Sequence, residues 1–261
     1  MHPTFEALAQ LLADAWRTGK TVALPAEEAA PRSRAEAFAI QDRMAELLGD
    51  RCVGWKVGAA VPAVQVMEGH DGPITGRLLA SRLYTSPAKV PAAKFSGCKI
   101  ESEFAFRFTE NVPPRARPYS RMELAPQLVF HPGLELAGSR YAPSPGDRKI
   151  TTRDLIADNG VCGAYVVADG FEDWRRIDFA TLPIDARVDG GEPIHRFSGE
   201  YFRDPVDILV ETVNGLSERG IGVGAGELLT TGSLTLPTSI RAGQTYVARF
   251  GELATLSVRL Q

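Results

Sequence analysis

Residues Lys99–Phe108, which read Lys-Ile-Glu-Ser-Glu-Phe-Ala-Phe-Arg-Phe, form the stretch that decides the fold. Successive side chains of a β-strand point to opposite faces, so Ile100 and the three phenylalanines share one face of this stretch. Glu101 and Glu103 share the other face. The pattern predicts a strand that packs one face on a hydrophobic core and presents two carboxylates on the opposite face.

Two carboxylates on one face of a strand lie roughly 7 Å apart. They repel each other unless one is protonated, water separates them, or they share a cation. A hard divalent metal relieves this repulsion most simply. The alternative is an amphipathic strand with a solvated outer face, and the Glu-x-Glu pattern alone leaves both interpretations open.

Length and composition set the class of protein. The 261 residues, of which 44% are hydrophobic, allow one large domain or a small N-terminal layer plus a larger core. A net charge of -3 provides no basic surface for nucleic acid, and no apolar run reaches membrane-spanning length. We therefore expect neither nucleic-acid nor membrane partners.

Cysteine and histidine usage argues against a disulfide or zinc framework. Three widely spaced cysteines with no secretory signal before them are typical of a reduced, cytoplasmic protein with buried thiols. The histidines have no metal-ligand spacing, and no chemistry is assigned to them. The residues concerned are Cys52, Cys98 and Cys162, and His2, His70, His131 and His195.

The N-terminal 50 residues predict two helices. Apolar residues from Phe5 to Trp16 recur at helical intervals. Ser33 and Glu36 form a capping-box signature for a second helix that ends at Gly49. Most of the chain beyond residue 50 alternates like strands, so we predict an α+β fold with an N-terminal helical layer, residues 1–50, and a strand-rich domain, residues 51–261.

Lys56 is a candidate functional residue because of its neighbours. In the predicted strand 52–58, it shares a face with Gly54 and Gly58, which leave open space around its ammonium group. This arrangement fits a lysine in a cleft that a small ligand can enter. A solvent-facing lysine on a glycine-weakened edge strand is the alternative.

Glu135 lies in a second predicted strand, Gly133 to Tyr141. Leu134 and Leu136 point to one face of that strand, so Glu135 points to the other. The sequence thus offers a third carboxylate opposite an apolar face.

Five motifs in one order and spacing identify a family resemblance. With them, the chain resembles the 2-keto-4-pentenoate hydratase and 4-oxalocrotonate decarboxylase family of the fumarylacetoacetate hydrolase superfamily over nearly its whole length. The resemblance implies that residues 51–261 form a catalytic, fumarylacetoacetate-hydrolase-like core, a mixed β roll or barrel. The motifs are Gly-Trp-Lys-Val-Gly (54–58), Ile-Glu-Ser-Glu-Phe-Ala-Phe (100–106), Leu-Glu-Leu-Ala-Gly-Ser-Arg-Tyr (134–141), Ala-Asp-Asn-Gly (157–160) and Thr-Thr-Gly-Ser (230–233).

The resemblance implies a metal site. Glu101, Glu103 and Glu135 match the family's three carboxylate ligands, and an all-oxygen set suits Mg²⁺ or Mn²⁺. Lys56 matches the active-site lysine, whose pKa we expect burial and a nearby cation to lower.

Two further positions fall in family motifs near the same cleft. We expect Asn159 and Ser233 to hydrogen-bond substrate or water there. The alternatives are a helix-terminal cap for Asn159 and a turn hydroxyl for Ser233.

One departure from the family pattern concerns proton transfer. Many hydratases of this family place Asp two residues before the glycine of an Asp-aromatic-Gly-x-Leu motif, and here Ile74 occupies that position in the run from Pro73 to Leu78. Isoleucine exchanges no proton. Asp71 is close in sequence, but no residue pattern promotes it to that role.

The function that the resemblance implies is hydration of a 2-hydroxydienoate or 2-oxo-enoate to a 4-hydroxy-2-oxo acid, as in meta-cleavage of aromatic compounds. The second hypothesis is decarboxylation of a 2-oxo-3-enedioate, which uses the same enolate. The third is a carboxylate-binding protein without turnover. We expect a small 2-oxo acid substrate and a homo-oligomer, which is common in the family.

Overall fold

A computed structural model describes residues 3–142 and 148–261, so His2 lies outside the described residues. The helices are α1 (Pro3–Thr18), α2 (Arg34–Leu48), α3 (Pro62–Glu68), α4 (Arg121–Leu124), α5 (Thr152–Ala157) and α6 (Pro205–Glu218). The strands are β1 (Cys52–Gly58), β2 (Ile74–Leu79), β3 (Leu83–Thr85), β4 (Ala88–Val90), β5 (Lys99–Phe108), β6 (Leu128–Ala137), β7 (Cys162–Val167), β8 (Ile184–Val188), β9 (Leu228–Ser233), β10 (Thr238–Ser239), β11 (Thr245–Phe250) and β12 (Ala254–Leu260).

The N-terminal helices form where the sequence predicts them. The Ser33 side chain accepts a hydrogen bond from the Glu36 amide at 3.1 Å, and Gly49 ends α2 in the left-handed conformation, φ +64°. α1 and α2 share one apolar cluster, which also includes Ile74 of β2 and Ile156 of α5. The helical layer therefore packs on elements beyond residue 50, and the division of the chain at that residue stays a prediction.

Two sheets make up the strand-rich part of the described chain. The larger sheet has eight strands in the order β2-β1-β9-β5-β6-β7-β3, with β10 also paired to β5. The smaller sheet has four strands in the order β4-β12-β11-β8. Most neighbouring pairs are antiparallel, and β1 with β9, β3 with β7 and β4 with β12 are parallel.

β5 lies inside the larger sheet, between β6 and β9. Its apolar face packs as predicted: the ring of Phe104 lies 5.4 Å from that of Phe130 and 6.2 Å from that of Phe250, which belongs to the smaller sheet. Phe104, Phe106 and Phe130 are fully buried. Each contributes roughly 1.5–3 kcal/mol of transfer free energy, so this face fixes β5 against the core and turns Glu101 and Glu103 to the other side.

The described helices include none that is both long enough and apolar enough to cross a membrane.

Candidate active site

The pairing of β5 with β6 brings the three candidate carboxylates together. The two strands are antiparallel, with Glu101 directly opposite Glu135 and Glu103 opposite Gly133. One carboxylate oxygen from each of Glu101, Glu103 and Glu135 lies within 4.8 Å of the others. Glu103 and Glu135 are almost completely buried, at 0% and 1% exposure. The described structure therefore contains a compact set of oxygen donors at this edge of the core.

The electrostatics of this cluster show the cost of collecting acids in the interior. Burial raises the pKa of Glu101 to about 7, and the charge of Glu135 adds to the rise, whereas Lys56 opposes it. Burial, followed by the charges of Glu135 and Glu101, raises the pKa of Glu103 well above its ordinary value. Both pKa shifts come first from burial and then from the negative charge of the neighbouring carboxylates.

The cluster fits a divalent cation. Neither carboxylate oxygen of the buried Glu103 has a hydrogen-bond partner of ordinary geometry among the described residues. Buried polar atoms are almost always paired, so an orphaned carboxylate indicates a missing partner. Three oxygen ligands with no thiolate or imidazole suit a hard ion such as Mg²⁺ or Mn²⁺.

Lys56 lies beside the carboxylates. Its Nζ is 3.2 Å from Glu135 Oε1 and donates a hydrogen bond to the Gly160 carbonyl at 2.8 Å. A Cβ on Gly58 would lie 3.2 Å from this Nζ, so glycine keeps the space beside the ammonium free.

Without a bound cation the pKa of Lys56 is raised, so the lowering expected from burial and a nearby cation stays a prediction for the metal-bound protein. Burial alone would lower it, but Glu135, Cys162, Glu103 and Glu101 together raise the pKa above the usual lysine value. The sequence-based expectation counted burial and a cation but not the negative charge of the carboxylates.

The Asn159 side chain holds two segments of backbone together. It accepts a hydrogen bond from the Arg77 amide at 2.8 Å and donates one to the Arg77 carbonyl at 3.0 Å. The backbones are so close here that a Cβ on Gly76 would lie 2.2 Å from the Asn159 carbonyl oxygen. Asn159 therefore fixes β2 against the loop that supplies the Gly160 carbonyl to Lys56, and its predicted contact with substrate or water stays a prediction.

Ser233 lines the cavity above the carboxylates. It lies opposite Glu103, next to an irregularity in the pairing of β5 with β9, where Gly232 has φ +89°. Irregularities of this kind re-aim side chains near binding sites. The Ser233 hydroxyl donates to the Thr235 carbonyl at 2.5 Å, which is the turn contact of the alternative interpretation, so a substrate contact stays a prediction.

A cavity of about 110 Å³ lies over Lys56, Glu101 and Ser233. It continues into a more open groove of about 670 Å³ that includes Lys99. Apolar side chains form much of the cavity wall, which suits the hydrocarbon part of a small acid. The larger of these apolar residues include Val61, Val64, Ile74, Leu155 and Phe197.

Two polar residues of the cavity were not predicted from the sequence. Glu68 and His70 line both the cavity and the groove. Neither belongs to a motif or has metal-ligand spacing, so no sequence signal pointed to them.

The chain has relatives among enzymes of known activity. A 2-keto-4-pentenoate hydratase of Burkholderia vietnamiensis (strain G4 / LMG 22486) is 27% identical over 255 residues, which cover 96% of this chain and 95% of the relative. A 2-hydroxyhexa-2,4-dienoate hydratase of Comamonas testosteroni is 26% identical over 259 residues, which cover 97% and 96%. The chain is a relative of the 2-keto-4-pentenoate hydratases. The predicted family resemblance is thereby confirmed, although no family model matches the chain.

Solved structures of other proteins share the fold of this chain. The 4-oxalocrotonate decarboxylase from Pseudomonas putida G7, complexed with magnesium and adipate, has a TM-score of 0.87 and 21% identity over 100% of this chain and 98% of the other. The fumarylpyruvate hydrolase from Pseudomonas aeruginosa, complexed with Mn²⁺ and pyruvate, has a TM-score of 0.55 and 16% identity over 81% and 89%. A putative fumarylacetoacetate hydrolase family protein from Yersinia pestis CO92 also has a TM-score of 0.55. The predicted α+β, fumarylacetoacetate-hydrolase-like fold is confirmed.

We expect this protein, without bound metal, to lose thermal stability as the pH rises from 5 to 8. Glu101 titrates near pH 7 when folded, against 4.5 for its ordinary value, and the pKa of Glu103 is raised too. The folded state therefore binds more protons than the unfolded state in this range, and stability falls as pH rises. The raised pKa of Lys56 acts only at more alkaline pH.

The measurement is Tm in the presence of a chelator at pH 5, 6, 7 and 8. For Glu101 alone, the shift corresponds to about 3 kcal/mol, or a fall in Tm of roughly 10 °C for a chain of this size. Added Mg²⁺ should restore Tm at pH 8. A Tm that stays level or rises over this range in chelator would contradict the prediction.

Proposed function

We propose that this chain is a divalent-metal-dependent hydratase, a lyase that adds water to a 2-hydroxydienoate or 2-oxo-enoate to give a 4-hydroxy-2-oxo acid. The observation that carries the proposal is the set of Glu101, Glu103 and Glu135 beside Lys56. Glu101 and Lys56 of this set line a cavity of small-acid size. The relatives named as hydratases support the water-addition reaction over other enolate chemistry.

Glu101, Glu103 and Glu135 would hold the cation, and Mg²⁺ or Mn²⁺ fits their oxygen atoms best. The unpartnered oxygens of Glu103 support this assignment. When bound, the ion supplies positive charge that stabilises negative charge on the 2-oxygen of the substrate.

Lys56 would act on the substrate as a proton carrier. Its ammonium is held between Glu135 and the Gly160 carbonyl and lines the cavity. From there it can bind the substrate carboxylate or donate a proton at carbon.

Water addition needs a new bond at C4 and a new proton at C3. The oxygen of water bonds to C4 of the 2-oxo-3-enoate and gives up one proton to a base, as the electron pair of the C3=C4 bond moves toward the 2-oxygen. A proton then reaches C3, and the 4-hydroxy-2-oxo acid results. The apolar wall that includes Ile74 and Phe197 contacts the unsaturated tail and limits access of bulk water.

The second candidate is decarboxylation of a 2-oxo-3-enedioate, which the fold of 4-oxalocrotonate decarboxylase favours. Such a substrate has a second carboxylate. Among the described residues that line the cavity, Lys56 is the only lysine or arginine, so the second carboxylate would need Lys99 in the adjoining groove. The apolar wall fits the uncharged tail of a monocarboxylate better.

The test compares the two reactions directly. The protein is incubated with Mg²⁺ and either 2-hydroxypenta-2,4-dienoate or 2-oxo-3-hexenedioate, while NMR follows the 4-hydroxy product and a coupled assay follows carbon dioxide. We expect the 4-hydroxy-2-oxo acid from the first substrate. Carbon dioxide release from the second substrate without hydration of the first would replace the hydratase by the decarboxylase. Thermal stabilisation by 2-oxo acids with no product from either would instead identify a carboxylate-binding protein.

Assembly and location belong to the same proposal. All three cysteines are unpaired, which supports a reduced, cytoplasmic environment. A homo-oligomer is proposed from the family resemblance, and light scattering on the purified protein tests it.

A further inference from the structure

We propose that Glu68 and His70 form an acid–base pair that takes the proton from the water added at C4. The inference rests on the proposed hydratase function and names the residues that would replace the acid missing at Ile74. It depends on where the pair lies, how it is held and what surrounds it.

The end of α3 creates the pair. Gly69 takes the left-handed conformation, φ +75°, and the His70 amide donates to the Gln65 carbonyl at 2.8 Å. This turn brings His70 Nε2 to 3.3 Å from Glu68 Oε2. The His70 side chain is only 14% exposed, and that of Glu68 is 36% exposed. The imidazole is thus largely enclosed, while the carboxylate reaches the opening between cavity and groove.

Thr152 fixes the orientation of the imidazole. Its hydroxyl lies 3.3 Å from His70 Nδ1 and accepts the Asp71 amide proton at 3.2 Å. Because the Thr152 oxygen already accepts the Asp71 N–H, the Thr152 hydroxyl can donate its own proton to His70 Nδ1. That leaves the Nε2 proton directed at Glu68 Oε2, so His70 orients the carboxylate, and the second carboxylate oxygen of Glu68 is the atom of the pair that can accept a proton from water.

The pair lies on the substrate side of the metal ligands. Glu68 and His70 line the same cavity as Lys56 and Glu101, and they also line the groove that leads outward. A substrate held at its carboxylate end near Lys56 would extend its C3–C4 bond along the cavity. The pair is therefore placed to contact a water molecule that enters from the groove.

The neighbouring candidates are less suited to this role. Ile74 lines the cavity but is apolar. Asp71 does not line the cavity, is 61% exposed and forms an ion pair with Arg34 at 3.0 Å. Among the described residues that line the cavity, Glu68 and Glu101 are the only acids, and Glu101 belongs to the proposed metal ligands.

The step balances without any further reactant. The pair accepts one proton from water as the oxygen–C4 bond forms and the C3=C4 electron pair moves toward the 2-oxygen. C3 then gains one proton from Lys56, and the pair releases the proton that it accepted to solvent. The net change is the addition of one hydrogen and one hydroxyl group, with no oxidation or reduction.

The experiment separates enolate formation from water addition. Exchange of the C3 protons of 2-oxopentanoate in D₂O with Mg²⁺ reports enolate formation, which needs Lys56 and the metal ligands but no water addition. Hydration of 2-hydroxypenta-2,4-dienoate reports the full reaction. We expect His70→Asn and Glu68→Gln each to slow hydration about 10²- to 10³-fold while C3 exchange stays within about twofold of wild type.

Asp71→Asn is the matched control, because it removes a nearby carboxylate outside the cavity, and both rates should stay unchanged. Should His70→Asn fail to fold, Glu68→Gln gives the decisive result, since its partly exposed side chain tolerates the change. Hydration at the wild-type rate in a folded variant would overturn the inference, and so would equal loss of exchange and hydration. If wild type exchanges C3 protons but adds no water, the proposed hydratase function fails and this inference with it.

Discussion

Glu103→Gln should abolish divalent-metal binding and turnover together, while the protein without metal becomes more stable. Glu103 is completely buried, and its carboxylate lies with two others inside 4.8 Å. Loss of one of three charged ligands removes the electrostatic stabilisation that the ion supplies, which is several kcal/mol or about a thousand-fold in rate. The neutral amide also removes negative charge from the cluster and can donate hydrogen bonds to the neighbouring carboxylates.

Three measurements check this prediction: isothermal titration with Mn²⁺ or Mg²⁺, turnover, and Tm in chelator at pH 8. Metal binding and turnover should vanish, and Tm should rise above that of the metal-free wild type. Glu110→Gln is the control, because this acid is exposed just beyond the same strand and should change none of the three. Full activity of Glu103→Gln in the presence of a chelator would remove the metal hypothesis.

The parts of the fold that depend on local patterns could be predicted from the sequence. The alternation of residues 99–108 and the capping box at Ser33 each depend on neighbours a few residues apart. β6 shows the limit. The sequence predicts its start at Gly133, but the strand begins at Leu128 and includes Pro132. Proline usually interrupts a strand, and here ten residues of pairing with the distant β5 override that local signal.

The site was predictable as a set of residues but not as a geometry. That Glu101 and Glu103 share a face follows from strand alternation, whereas the position of Glu135 directly opposite Glu101 depends on strand register. The role of Asn159 depends on Arg77, which lies 82 residues earlier. The direction of the Lys56 pKa shift depends on a balance between burial and several charges. No single motif contains that information.

Glu68 and His70 show why some residues escape sequence analysis altogether. Their proximity depends on one left-handed glycine, and the orientation of the imidazole depends on Thr152, 82 residues further along the chain. Ile74 stands where the family places an acid, and in this chain the last residue of α3, Glu68, and the turn after it, with His70, provide polar side chains at the cavity instead. A functional pair of this kind becomes visible only when the cavity wall is known.

Lys56→Met should reduce turnover by about two to four orders of magnitude and leave metal binding intact. The substitution removes the ammonium group but keeps an unbranched chain in the space that Gly58 leaves open. Removal of a positive charge beside the carboxylates cannot weaken their attraction for a cation. Both C3 proton exchange and hydration should fall, because each needs a proton carried at carbon.

The metal-free form of this variant should be less stable than metal-free wild type, because Glu135 loses its ion pair with Lys56, formed at 3.2 Å. Activity is therefore measured at saturating Mg²⁺, where the ion neutralises Glu135 instead. Lys89→Met, an exposed lysine on β4, is the control and should leave rate and stability unchanged. A wild-type rate in folded, metal-loaded Lys56→Met would place Lys56 outside the chemistry, and its contact with Glu135 would then serve only to balance charge in the core.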